Sequence, residues 1–368
     1  MRTLTARPAF RWLVPPVALV AVLGSFLVVS RANADSPLPA ISPQDLLVRV
    51  SQAKVEGLSG TVVQNSDLGI PAIPGGSGSA GGALTSLLSG SHTMRVWYGA
   101  PDKARLAVSD QYAETDVVSD GTDVWSYDSR KKEATHTTLP ADRAHQADQA
   151  QRKAPEGAPQ TPQQAAQELL TKVGPTTDVR VDPDVTVAGR AAYDLVLAPK
   201  DAASLVKQVR VAVDGATSVP LRVQVFGAGD KPALDVAYTD ISFGQPDARM
   251  FAFNPPEGTK VTQKALPEHK APSAAQKKQL QARKAQADRN TTTVGTGWSS
   301  VVVTKLPGGA ADGNETVKGF LNQLKPVSGS WGSGRELDGT IVTAILTDDG
   351  RLAVGAVGQD VVSQALAR

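Results

Sequence analysis

The sequence predicts an α+β chain: two antiparallel meanders of short strands, each preceded by a helix, and a small α+β domain at the C-terminus. Three observations carry this. Short apolar/polar alternations recur between turn dipeptides such as Asp120-Gly121, the pattern of half-buried hairpin strands. Helical periodicity with caps is confined to a few segments. Composition turns basic and poor in apolar residues over 264–296, then becomes core-forming again.

The elements follow in order. Arg2, Arg7 and Arg11 precede an apolar run from Trp12 to Val29, and Ala32-Asn33-Ala34 stands before Asp35. This is signal-peptide grammar, with cleavage expected after Ala34. An uncleaved anchor is the other reading, because the run approaches the length of a membrane span; Pro15 and Pro16 shorten it toward an h-region. Either reading delivers the chain to an extracytoplasmic space. Ser42, Pro43 and Asp45 supply the cap, first position and first-turn acid of a helix with Leu46, Leu47, Val50 and Ala53 on its apolar face and Gly57 as its stop. Strands are expected at Gly60–Gln64, Thr93–Tyr98, Lys103–Ser109, Thr115–Ser119, Asp123–Asp128 and Lys131–Leu139. Residues 141–160 read as a loop. Thr161 and Pro162 then open a helix with Leu169, Leu170 and Val173 on its apolar edge. The second meander runs through Val185–Gly189, Ala192–Pro199, Val209–Asp214, Leu221–Phe226 and Ala233–Phe243, closed by Phe251 and Phe253.

Residues 264–296 read as a basic linker, helical or disordered; Lys264 to Asn290 holds seven Lys/Arg against two acids. Residues 297–368 form the small domain, with strands at Trp298–Leu306, Thr340–Thr347 and Arg351–Val357 and helices at Glu315–Leu324 and Val361–Leu366.

Composition removes several functions. There is no Cys, so disulfides, thiolate metal sites and cysteine nucleophiles are excluded. Residues 1–34 carry four of the 38 Lys/Arg and no acid, which leaves 34 basic against 36 acidic residues, net −2. No global positive field points to nucleic acid. The four His (His92, His136, His145 and His269) are expected in turns or loops without metal-ligand spacing. No G-x-S-x-G or H-E-x-x-H occurs. Gly76 to Gly81 matches G-x-G-x-x-G, but no strand feeds it and no βαβ unit surrounds it. No enzyme activity, metal or cofactor is expected.

Particular stretches carry a family likeness. They are Val96-Trp97-Tyr98-Gly99-Ala100-Pro101-Asp102-Lys103-Ala104-Arg105, Ser119-Asp120-Gly121-Thr122-Asp123-Val124-Trp125-Ser126-Tyr127, Leu195-Val196-Leu197-Ala198-Pro199-Lys200, Val213 to Val223, and the ending Phe251-Ala252-Phe253-Asn254-Pro255-Pro256-Glu257-Gly258. With the order of elements, these resemble the LolA/RseB (MucB) superfamily of lipoprotein-binding and outer-membrane lipoprotein-sorting proteins, in an actinobacterial-type secreted member. The likeness covers about residues 40–263. It implies an eleven-stranded antiparallel half-barrel capped by helices over residues 35–263, followed by the small α+β domain. It implies an apolar cleft that holds the acyl chains of lipid or lipoprotein. The RseB side of the family implies an alternative, a regulatory sensor that binds an anti-sigma factor or other membrane-bound partner.

The expected cleft residues are Met94, Val96, Tyr98, Leu106, Val108, Trp125, Tyr127, Tyr193, Leu195, Leu197, Val211, Val223, Val225, Val236, Tyr238, Phe251 and Phe253. Two readings stand for them, a filled core and an open cleft. Burial of a ~16-carbon acyl chain at ~0.8 kcal/mol per CH₂ is worth on the order of 13 kcal/mol against water. Leu84, Leu87 and Leu88 in the Gly/Ser-rich loop 69–92 are either part of a disordered insertion or a lid over that cleft. The basic stretch 264–290 is a solvated linker or a strip for peripheral contact with an anionic membrane or wall polymer. Trp97, on the face of Arg95, is a partner contact or an edge aromatic.

Overall fold

The computed structural model describes residues 38–71, 89–110, 113–140, 162–265, 274–306 and 315–368. The segment 1–34, Leu84, Leu87 and Leu88, the loop 141–160, Thr161, His145 and His269 lie outside them. The chain divides into two compact units: described residues 38–200 and 207–265 in the larger, 201–206 and 274–368 in the smaller.

The larger unit is built on one sheet. Its strands are β1 (Gly57–Asp67), β2 (Ser89–Gly99), β3 (Lys103–Asp110), β4 (Ala113–Asp120), β5 (Asp123–Asp128), β6 (Glu133–Thr138), β7 (Thr177–Val187), β8 (Arg190–Pro199), β9 (Gln208–Asp214), β10 (Pro220–Phe226), β11 (Pro232–Phe243) and β12 (Lys260–Ala265). They lie in the order β12-β6-β5-β4-β3-β2-β1-β11-β10-β9-β8-β7. The sheet is open, with β12 and β7 at its edges. Every pairing is antiparallel except β12 on β6, which is parallel. The sheet therefore has twelve strands where the resemblance implies eleven. The expected linker at Lys264 begins inside an edge strand whose Lys260 and Lys264 discourage further pairing. Strand β7 starts at Thr177, earlier than the expected Val185, and runs through Asp182-Pro183-Asp184. That tripeptide is a register shift on an edge strand, where the missing N–H of Pro183 costs no ladder bond.

Helix α1 (Pro43–Gln52) forms as its cap dictates. The Ser42 hydroxyl accepts from the Asp45 N–H at 3.1 Å. It ends at Gln52 rather than at Gly57, which already belongs to β1, and it buries Leu46 and Val48. Helix α2 (Pro162–Val173) packs on α1 and buries Ala166, while the expected edge residue Leu169 is exposed.

Strands β8 and β9 are covered on both faces: residues 192–196 and 211–214 are all buried. Asp214 stays in this environment because Arg190 grips it at 2.5 and 3.0 Å while Thr217 donates its N–H at 2.7 Å and its hydroxyl at 2.8 Å. Burial pushes the Asp214 carboxyl up; these bonds outweigh it and hold the group below its ordinary value.

The smaller unit has a six-stranded antiparallel sheet: β13 (Thr291–Val294), β14 (Val301–Lys305), β15 (Lys325–Gly329), β16 (Gly332–Asp338), β17 (Thr343–Thr347) and β18 (Arg351–Gly355), in the order β13-β14-β18-β17-β16-β15. Helix α3 (Ala274–Asn290) precedes it, α4 (Glu315–Gln323) is inserted, and α5 (Gln359–Leu366) packs on β14, β17 and β18. The core is Val301, Trp331, Ile345, Ala353, Val357, Val362, Ala365 and Leu366. The sheet begins at Thr291, ahead of the expected boundary at Gly297, and Trp298 lies in a 3-10 turn rather than a strand. Strands β15 and β16 fall where no strand is expected, around the Gly/Ser-rich Ser328-Gly329-Ser330-Trp331-Gly332-Ser333-Gly334. The segment 201–206 completes the unit: Leu205 donates its N–H to Ala356 O at 2.7 Å, and Ser204 bridges Val357.

One buried charge stands out here. Glu336 is 2% exposed, and Lys325 Nζ approaches its carboxylate at 3.3 Å. Lys325→Met keeps the stem and removes the counter-charge, so it should destabilise the smaller unit by about 1–3 kcal/mol; Lys325→Met/Glu336→Leu should recover most of that in thermal melts. In the larger unit, the depressed Asp214 contributes stability above the ordinary carboxylate pKa. That contribution disappears as pH falls through the lower folded value. Stability of Asp214→Asn, by urea titration, should therefore fall less than wild type between about pH 5 and about pH 2.

Candidate functional site

The pleat sorts the larger sheet into two surfaces of different chemistry. Cross-strand partners share a face, and the register runs Leu195–Val211–Val223–Val236–Gln64 across five strands. A second row runs Tyr238–Val62–Met94–Val108. A third joins Gly60, Val96, Leu106 and Val117. Tyr193, Leu197 and Val225 lie on this face through Val213 and Val209, and Tyr98 through Leu58. Thirteen of the seventeen expected cleft residues thus share one continuous apolar face.

Coverage of that face is uneven. Tyr193, Leu195 and Val211 are buried, as are Val62 and Met94, each 8% exposed. Val96, Tyr98, Leu106, Val108, Leu197, Val223, Val225, Val236 and Tyr238 are only half-buried. The face is packed shut over most of β8 and β9, Leu197 excepted, and stays partly accessible from β10 across β11 to β3, with Val62 and Met94 buried inside that stretch. Gly60 fits the Tyr238 ring onto it: a Cβ at residue 60 would lie 2.9 Å from that ring and 2.5 Å from Asp240 O. Burial raises the Tyr238 phenol above its ordinary value, and burial followed by the Asp102 charge raises Tyr98. Both hydroxyls are neutral at physiological pH, so neither puts a charge on this face.

Four expected residues lie elsewhere. Trp125 and Tyr127 face Val118 and Asp116, which in turn face Arg105 and Ala107, all on the opposite surface. Their alternation is real, but one residue of offset decides the face, and only cross-strand register sets it. Phe251 sits in a 3-10 turn, Ala248–Phe251, and its ring comes against Gly99, where a Cβ would stand 3.1 Å away. Phe253 packs on Trp125 and Tyr127 at 5.4 and 5.6 Å. These aromatics seat the segment that carries the chain from β11 to β12.

His92 and His136 are in strands, not turns. His136 stacks on Trp125 at 4.2 Å and bonds Asp123 and Gln263, tying β12 to β5 and β6. Trp97 is half-buried on this same face beneath the Arg105 guanidinium, which pairs with Asp116 at 3.0 Å. No group of three His, Cys, Asp or Glu among the described residues could hold a metal ion.

The opposite face of β7–β11 carries a lattice of ion pairs. Arg210 bonds Asp194 and Asp182, Arg180 bonds Asp182 at 2.7 Å, and Arg222 bonds Asp235 at 2.5 and 2.9 Å. These partners come from neighbouring strands, which alternation along a single strand does not reveal.

No family model matches the chain, and no curated protein matches it. Solved structures do. The likeness is to MucB and the LolA superfamily. MucB in complex with MucA(peri) is 16% identical, over 88% of this chain and 97% of that one, at a TM-score of 0.43. The Pseudomonas aeruginosa MucA/MucB complex is likewise 16% identical, over 88% and 96%, at 0.42. A LolA-superfamily protein from Nitrosomonas europaea is 10% identical, over 58% and 99%, at 0.22. What the chain does is read from its own residues.

The raised phenols give a check on the accessible face. Among the five tyrosines, those at 98 and 238 should ionise only above the ordinary value of about 10 in an ultraviolet pH titration, and Tyr98→Phe and Tyr238→Phe should each remove one late-titrating group.

Proposed function

We propose that this chain is an extracytoplasmic binding protein that lays acyl chains of lipid or lipoprotein against the half-buried apolar face, as a carrier or chaperone and without chemistry. The observation that supports the reading is the continuity of that face across β8–β3, with its β10–β3 portion left half-covered. Each methylene buried there is worth about 0.8 kcal/mol, so a dozen outweigh the ordering of one flexible chain. The residues that would hold it are Val96, Leu106, Val108, Val223, Val225 and Val236, with Tyr98 and Tyr238 beside them. Delivery outside the cytoplasm rests on the signal-like segment 1–34.

Helix α3 fits a peripheral role beside this one. Lys278, Arg283, Lys284 and Arg289 are exposed, Leu280 is 57% exposed, and no apolar stripe runs along it. Contact with an anionic membrane or wall polymer through 264–290 would be electrostatic and would weaken with salt.

The test is solvent extraction of the full chain purified from its native envelope, with mass spectrometry of what it carries. Stoichiometric acyl species are expected. Val223→Glu and Val96→Glu, each placing a carboxylate on the accessible face, should cut the bound species at least about tenfold while thermal melts show a folded protein. Absence of acyl species from wild type, with crosslinked capture of a single-pass membrane protein instead, would favour the regulatory alternative.

A further inference from the structure

The polar face of the larger sheet holds a cleft of about 210 Å³ lined by Val185, Asp194, Arg210, Ala212, Arg222, Gln224 and Phe226. Register explains the hollow. Asp194, Ala212 and Arg222 are partners in one cross-strand row, and Arg210 faces Gln224 in the next. A methyl group at 212 among long side chains leaves a gap with Ala212, 4% exposed, as its floor.

The walls are pre-set. Arg210 is held by Asp194 and Asp182, and Arg222 by both oxygens of Asp235. With its amide turned so that the oxygen meets the guanidinium, as the surrounding donors and acceptors require, Gln224 accepts from Arg222 Nη2 at 2.6 Å. Each guanidinium spends Nε and Nη2 on these bonds, and neither Nη1 has a partner among the described residues. Donors locked in place this way lose little freedom when a ligand arrives.

Charge decides the ligand class. Arg180, Arg210 and Arg222 are balanced by Asp182, Asp194 and Asp235, so the lattice is neutral and attracts neither an anion nor a cation as a whole. It offers planar donors and acceptors at close quarters, with the Phe226 ring as an apolar wall. Vicinal hydroxyls on a ring with an apolar side match that set, because each hydroxyl both donates and accepts. The volume admits one such ring.

We propose that this cleft binds a neutral sugar ring. The sheet separates it from the apolar face, so one glycolipid cannot fill both, and this site stands or falls independently of acyl binding.

The experiment is saturation-transfer NMR on the full chain with glucose, galactose, mannose and arabinose, each at about 50 mM, and with acetate and phosphate as anionic probes. A single ring on such a site should bind with Kd on the order of 1 mM. At least one sugar is expected to receive saturation. Ala212→Val, which fills the floor, and Gln224→Leu, which removes the amide, should weaken it about tenfold with unchanged thermal melts. Ala212→Ser should retain binding. An arm with a lipid-free oligosaccharide of the same sugar separates a glycan end, which should bind at least as well, from a site for the free monosaccharide alone. No transfer to any sugar, transfer that survives both variants, or cleft shifts with acetate or phosphate only would overturn the proposal.

Discussion

Adjacent residues of an extended strand point to opposite sides of their sheet, and twelve strands in register turn that local rule into two continuous surfaces. Both candidate sites depend on it. The row Leu195–Val211–Val223–Val236 is apolar because each of its members lies an even number of residues from the next apolar position on its own strand. The residues between them, Asp194, Arg210, Arg222 and Asp235, collect on the other side. There they are satisfied as cross-strand ion pairs rather than as solvated charges. A one-residue slip of β9 or β10 would put an arginine on the apolar face and a valine into the lattice.

Register shifts interrupt ideal pairing at four places, and two of them shape the middle of the sheet without breaking this separation. A register shift at Thr61/Val62 lets β11 carry one extra residue while Tyr238 stays beside Val62. The other, between Pro220 and Arg222, leaves Leu221 buried against Ala192 and Ala212. Bulges of this kind add local twist, which a long open sheet needs in order to curve. The segment from β11 to β12 then crosses the polar side, anchored by Phe251 on Gly99 and Phe253 on Trp125.

The smaller unit follows the same rule at smaller scale. Thr343, Ile345 and Thr347 point inward from β17, and Ala353 and Gly355 from β18. Glu336 on β16 is buried among them as an exception, paired there with Lys325. Its first strand and the segment 201–206 come from stretches whose composition reads as linker or connection.

Much of the fold is legible in the sequence. Turn dipeptides, the Ser42 cap and alternation located α1, most strands of both meanders and the strands that pair as β17 and β18, because those signals act within a few residues of chain. Alternation also put thirteen of the expected residues on one face, since period two is a property of the strand itself. It could not assign Trp125 and Tyr127, whose face depends on which residue of β4 they meet. Nor could it find β15 and β16 in a Gly/Ser-rich stretch, the parallel pairing of β12, or the cleft floored by Ala212. The sequence by itself determined which residues alternate and where the chain turns. Only the tertiary structure decided which neighbours stand side by side, because strand register and ion-pair partners are long-range choices settled by packing the whole sheet.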